Sequence, residues 1–163
     1  MAAPVGKLVP WSELPACVSG LRREGKTIVT TNGAFDVMHV GHVRYLRDAA
    51  RQGDVLIVGL NSDASVRAYK GPRRPVNCQA HRAEVLLSLR FVDYVVIFEQ
   101  ADPRAFIELA APNVHVNGEE YGPNCIEAET VARVGARLHL VPRWQGLSTS
   151  EMIQRILLAY RDE

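Results

Sequence analysis

Short apolar runs alternate along this chain with stretches whose apolar positions recur at helical spacing. The runs predict strands over 26–31, 54–60, 94–98, 113–117 and 137–141. The helical pattern predicts helices over 41–52, 80–89, 103–110 (Pro103 at its start), 126–134 and 149–160, the last with Ile153, Ile156 and Leu157 on one face. Before the first strand, Ser12 is placed to cap a short helix that ends at Gly25. Strands that are apolar throughout and separated by helices mean a parallel sheet covered on both faces. The expected fold is therefore α/β and Rossmann-like, a single domain over 1–163 with its core at about 26–157 and a helical segment at about 8–25.

Ligands of such sheets sit at the carboxyl ends of the strands. The polar groups of this chain gather there: Asn32 to His42, Asn61 to Asp63, Asn117 to Tyr121, and Gly146 to Ser150. The densest is Thr30-Thr31-Asn32-Gly33-Ala34-Phe35-Asp36-Val37-Met38-His39-Val40-Gly41-His42. It runs from a strand through a glycine-containing turn into a helix start, where free backbone N–H groups and the helix dipole favour a phosphate. His39 and His42 fall on one face of that helix start. Such a pair also has zinc-ligand spacing, but no third ligand lies nearby and the glycine turn argues for phosphate chemistry. Imidazole donors there can follow the charge that builds on a phosphoryl group and its leaving pyrophosphate.

The pattern Asn-Gly-x-Phe-Asp-x-x-His-x-Gly-His resembles the signature of the cytidylyltransferase-like nucleotidyltransferase family. Val58 to Asp63, Lys70-Gly71-Pro72-Arg73-Arg74-Pro75-Val76, Arg82 to Leu86 and Val92 to Val96 narrow the likeness to the adenylyltransferases of ADP-heptose synthesis, over about 8–157. The resemblance implies a Rossmann-like nucleotidyltransferase fold and an in-line attack of a sugar phosphate oxygen on the α-phosphorus of ATP. The acceptor it implies is D-glycero-D-manno-heptose 1-phosphate, and the products are an NDP-sugar and pyrophosphate. Magnesium would arrive with the nucleotide, no residue being assigned as a metal ligand. Cytidylyltransferases making CDP-glycerol or CDP-ethanolamine from CTP share most of these motifs and form the alternative.

On this likeness His39, His42 and Lys70 carry catalysis. Asn32, Gly33, Ala34, Phe35, Gly41, Asn117, Gly118, Glu120, Ser148, Thr149 and Ser150 bind the nucleotide, and Asp36, Asn61, Asp63, Arg74 and Arg82 bind the acceptor. Several of these have plainer readings. Asp63 can cap the turn that follows it, Lys70 and Arg73-Arg74 can be solvated charges of a Gly/Pro-rich loop, and Arg82 can pair with Glu84 or a neighbour. Ser148 and Glu151 have capping-box spacing, which is compatible with a phosphate site at the same helix start. Met38, Tyr45, Trp11 and Phe91 read as packing residues, and His81, His115 and His139 as incidental; Trp144 precedes the Ser-Thr-Ser turn and is given no role. Two departures from the family segment Lys-Gly-Gly-Asp-Tyr, Asn117 and Glu119, bear on base or acceptor preference, whereas Ala34, where Cys is frequent, matters little.

Composition adds limits. A net charge of +1 points to no nucleic acid or membrane-surface partner. Three widely spaced cysteines form neither a zinc motif nor a disulfide framework, consistent with reduced thiols in a cytoplasmic protein. No apolar run nears the roughly 18 residues of a membrane helix, and 5–10 is too interrupted for a signal peptide. The resemblance further implies a homodimer and a separate sugar kinase that supplies the 1-phosphate. A nucleotide-binding module without catalysis is the rival of another class, although His39, His42, Lys70 and the Ser-Thr-Ser turn are all present.

Overall fold

A computed structural model describes residues 6–142 and 148–161. The proposed segment 146–150 is therefore described only from Ser148 on, and Trp144 lies outside the described residues. Six parallel strands form one sheet in the order β1-β4-β3-β2-β5-β6. They are β1 Lys7–Leu8, β2 Ile28–Gly33, β3 Val55–Asn61, β4 Tyr94–Phe98, β5 Val114–Gly118 and β6 Arg137–Val141. Seven described helices connect or flank them: α1 Leu14–Arg23, α2 Val40–Ala50, α3 Asp63–Lys70, α4 Gln79–Leu87, α5 Arg104–Ala110, α6 Ala128–Arg133 and α7 Thr149–Ala159. The expected parallel, doubly covered sheet is what the chain forms.

Side chains of a strand point alternately to the two faces, and the two cores follow that period. Leu56, Val58 and Leu60 of β3 pack with Leu46 and Ala49 of α2 and Ala83, Leu86 and Leu87 of α4. Val55 and Ile57 pack on the other face with Leu14, Val18 and Leu21 of α1 and Phe106, Ile107 and Ala110 of α5. Gly59 lies on that second face, where an added Cβ would come within 2.7 Å of the Phe106 ring. The missing side chain lets α5 sit directly on the strand. The loops after β2 and β5 lead to helices on opposite faces, α2 and α6, although the strands are neighbours. That pair is the switch point of the sheet, where a crevice opens at the carboxyl edge.

Three local expectations change. The edge strand β1 carries no signal in the sequence, because two residues have no periodicity; it is fixed by pairing Lys7 with Tyr94 and Leu8 with Val95. Ser12 caps nothing: it lies in a 3-10 turn at Trp11–Glu13, and the helix behind it starts with a proline in its first turn. Asp63 is not a cap either. Ser62 holds that position, its Oγ accepting from the Ser65 N–H at 3.1 Å, and Lys70 is the last residue of the resulting helix rather than a loop residue.

Candidate active site

The carboxyl edge holds a cleft of about 690 Å³. Its walls include Asn32 to Asp36, His39, Gly41 and His42 from the β2–α2 turn, Asn61, Lys70 and Arg74 from the β3 side, Asn117, Gly118 and Glu120 from the β5 side, and Ser148 and Thr149 at the start of α7. The four polar segments therefore converge, as the strand-end argument requires. Asp63, Arg82 and Ser150 are the proposed site residues that do not line it.

His39 is the N-cap of α2, in extended conformation. Its Nδ1 accepts from the Gly41 N–H at 3.1 Å, and its own N–H donates to His42 Nδ1 at 3.3 Å. Each ring thus closes an orphan donor of the helix start with Nδ1. The consequence is chemical: a neutral imidazole whose Nδ1 accepts carries its proton on Nε2. The rings lie 4.0 Å apart between centroids. Burial first, then the charges of His39 and Lys70, push His42 down to about 4. Burial also lowers His39, partly offset by Glu151. Near neutral pH the pair consists of two oriented, uncharged N–H donors over the positive end of α2.

Phe35 supports this arrangement from behind, its ring meeting His42 edge-on at 5.7 Å. Phe35 adopts φ 45°, a left-handed backbone that a bulky residue takes only when its surroundings impose it. A Cβ on Gly33 would approach that ring to 3.0 Å, so the glycine makes room for it.

Asp36 is an anchor. Its carboxylate accepts from Arg74 Nε at 2.8 Å and from the Val76 and Asn77 N–H groups at 2.9 Å each. Burial pushes its carboxyl up, but these hydrogen bonds outweigh it, with a net lowering. The carboxylate thereby ties the loop after α3 to the β2–α2 turn, and it aims Arg74. Arg74 lines the cleft, and its Nη2 is buried without a hydrogen-bond partner, a donor whose capacity is unused in this structure. Lys70 stands beside it, its ammonium pKa lowered by burial first and by Arg74.

Arg82 lies behind the wall, 1% exposed. Its guanidinium donates to Asn77 O, Ala34 O and Asp63 Oδ1, at 2.9, 2.5 and 2.8 Å. Neither Glu84 nor the cleft receives it; Arg82 and Asp63 hold the cleft's turns together. Ser148 does cap α7: its Oγ accepts from the Glu151 N–H at 3.2 Å and donates to the Glu151 carboxylate at 2.7 Å. Ser150 is exposed, away from the cleft.

The cleft also contains residues to which the sequence assigns no site role; Tyr45 reads there as a packing residue. Tyr45 OH donates to Val116 O at 3.0 Å and meets Thr31 Oγ1 at 2.6 Å, joining α2, β2 and β5 under the cleft. It stands three residues after His42, on the same helix face, which was the available signal. Tyr69, Asp102, Tyr121 and Glu127 also line the walls. Glu127 had no signal, because its partner Asn117 is not at a helical or strand spacing from it. Among the described residues no group of three or more His, Cys, Asp and Glu could hold a metal ion.

The cytidylyltransferase-like family pattern matches residues 30–155. The chain is 46% identical over 140 residues to the bifunctional protein HldE of Syntrophotalea carbinolica, covering 85% of this chain and 29% of that one. It is 46% identical over 151 residues to the bifunctional protein HldE of Geobacter metallireducens, covering 92% of this chain and 31% of that one. It thus spans about three tenths of the length of these curated relatives. Among solved structures it resembles the lipopolysaccharide core biosynthesis protein of Thermoplasma volcanium, with a TM-score of 0.60 and 25% identity over 74% of this chain and 98% of that one. With the His-x-Gly-His turn over the cleft and the family pattern spanning most of its length, the chain belongs to the cytidylyltransferase-like family of nucleotidyltransferases.

Proposed function

We propose that this chain transfers AMP from ATP to a sugar 1-phosphate, D-glycero-D-manno-heptose 1-phosphate, releasing pyrophosphate and forming ADP-heptose. The reciprocal capping of α2 by His39 and His42 carries this reading, because it leaves two Nε2–H donors in a cleft that Lys70 and Arg74 also line, Arg74 with an unpaired Nη2. Two relatives named bifunctional protein HldE and a lipopolysaccharide core biosynthesis protein support the direction.

An acceptor phosphate oxygen attacks the α-phosphorus, a new P–O bond forms, and the bond to the β-phosphate oxygen breaks with its electron pair leaving on pyrophosphate. Transfer of this kind rests on positioning and charge stabilisation. His39 and His42 donate to the oxygens on which charge grows, and an approaching phosphate raises the pKa of both rings. Arg74 and Lys70 hold the acceptor phosphate. Asn32, Gly33, Ala34, Phe35 and Gly41 shape the phosphate turn. Gly118, Glu120 and Thr149 border the nucleotide, Asn61 borders the acceptor, and Asp36 with Arg82 and Asp63 keeps these groups in place. Magnesium screens the phosphates and comes with the nucleotide. A sugar kinase upstream supplies the 1-phosphate, the reaction runs in the cytoplasm, and the working unit is a homodimer.

Pyrophosphate release with magnesium, crossing ATP, CTP, GTP and UTP against heptose 1-phosphate, glycerol 3-phosphate and phosphoethanolamine, tests this. Turnover with ATP and heptose 1-phosphate is expected. Turnover with CTP and glycerol 3-phosphate in its place would refute the assignment and keep the mechanism.

A further inference from the structure

On the β5 side, a line of buried polar groups runs from β2 to the cleft wall. Thr30 Oγ1 is bonded to His115 Nδ1 at 2.8 Å, and His115 Nε2, which has no hydrogen-bond partner, lies 4.0 Å from Glu127 Oε1. The same Glu127 oxygen accepts from Asn117 Nδ2 at 2.7 Å, and Asn117 Oδ1 accepts from the Gly118 N–H at 2.9 Å. His115 is 0% exposed, Glu127 4% and Asn117 7%. The remaining partners of the Glu127 carboxyl are its own N–H and the Cys125 thiol.

All of these donors are neutral. Burial holds His115 uncharged, with its pKa lowered to about 3, so it supplies no counter-charge. Burial raises the Glu127 carboxyl above its ordinary value, and the hydrogen bonds from its own N–H and Cys125 act against that rise. In its ionised form it is a carboxylate set in the cleft wall with no cation among these partners, which folding alone disfavours. Such a group repels phosphates, so the triphosphate and the acceptor phosphate are kept to the His39/His42 and Arg74/Lys70 sides. What it attracts is a neutral N–H or O–H, and the part of a nucleotide that offers those is the nucleoside.

We propose that Glu127 is a specificity-determining residue that accepts a hydrogen bond from a neutral donor of the nucleoside, with Asn117 holding the carboxylate in place. The inference rests on the nucleotidyl-transfer reading above. Two donors fit the chemistry: the exocyclic amine of the base and a ribose hydroxyl. Asn117 stands where the resembling sequences carry lysine, and a neutral amide there leaves the carboxylate free to take a ligand.

Calorimetric binding separates the donors, with magnesium and three non-hydrolysable α,β-methylene triphosphates: those of adenosine, 2′-deoxyadenosine and purine riboside, which lacks the amine. The wild type is expected to bind one of the two altered analogues about tenfold or more weakly than the adenosine compound, because a site built to accept from a donor rejects the analogue without it. Glu127→Gln turns its carbonyl to Asn117 and its NH2 to the cleft, and it is expected to reduce that preference to less than about threefold. Asn117→Lys, whose ammonium occupies the carboxylate, is expected to level it as well and serves where Glu127→Gln fails to melt cooperatively. Equal binding of all three compounds by the wild type, or an unchanged preference in a folded variant, overturns the proposal. Pyrophosphate release is scored separately: its absence with the binding pattern intact refutes the transfer reading and leaves the role of Glu127 standing. No binding of any analogue refutes both.

Discussion

His39 is at once the cap of α2 and the outermost of the two imidazoles, so its removal has two separable effects. His39→Ala is expected to lower kcat by about 10²- to 10⁴-fold, the range for a lost transition-state donor. It also removes an N-cap contact worth about 1 kcal/mol, so Tm should fall by only a few degrees. A steady-state assay beside a melting curve distinguishes loss of chemistry from loss of fold, and full activity in the variant would favour a binding module. The buried histidines make a second residue-level prediction. His115 and His42 are pushed down to about 3 and about 4 from the ordinary 6.5. Between those values and 6.5 the unfolded chain binds more protons than the folded one, so stability is complete above about pH 6.5 and is lost as the pH falls toward 4 and 3. Urea midpoints should therefore drop from pH 7 to pH 5, before the carboxylates titrate. His115→Asn should flatten that slope, and an unchanged slope would contradict the assignment.

At the scale of elements, the loop after α3 is the part whose position the rest of the molecule must impose. One carboxylate does most of it, since Asp36 binds Arg74, Val76 and Asn77 together. Asp36→Asn puts an amide where N–H donors converge, and charge-assisted bonds are among the stronger ones. The expected result is a KM for the acceptor raised about tenfold or more, with a smaller change in kcat and a lower Tm. An unchanged acceptor KM would show that Arg74 finds its place without this anchor. The closing helix α7 was legible as amphipathic. Yet none of its described residues is buried, and Ile156, Leu157, Leu158 and Tyr160 are half or more exposed.

That exposed face sets the expectation for the whole molecule. A helix whose apolar positions find no core among the described residues is covered most simply by a second copy, through a self-complementary contact. Light scattering at working concentration should give about twice the 18.0 kDa of one chain, and Leu157→Glu should shift the mass back toward that of the single chain. A wild-type monomer would refute the homodimer. The two hydrophobic cores, by contrast, are complete within one chain, on either side of the sheet.

The sequence by itself determined the alternation of buried strands and amphipathic helices, hence the parallel sheet, and it determined the phosphate turn, because both are written in local spacing. Asn32 to His42 could be read as one site since its residues are neighbours along the chain. Pairings across the chain were not legible in this way. The two-residue edge strand, the Asp63–Arg82 and Asp36–Arg74 pairs, and the Glu127–Asn117–His115 cluster depend on which loops the sheet brings to one edge. Spacing in sequence carries information about contacts only within an element. Strand order decides the rest, so Arg82 became a buried brace, His115 a neutral core imidazole, and Glu127 a buried carboxyl in the cleft wall only once the tertiary structure had formed.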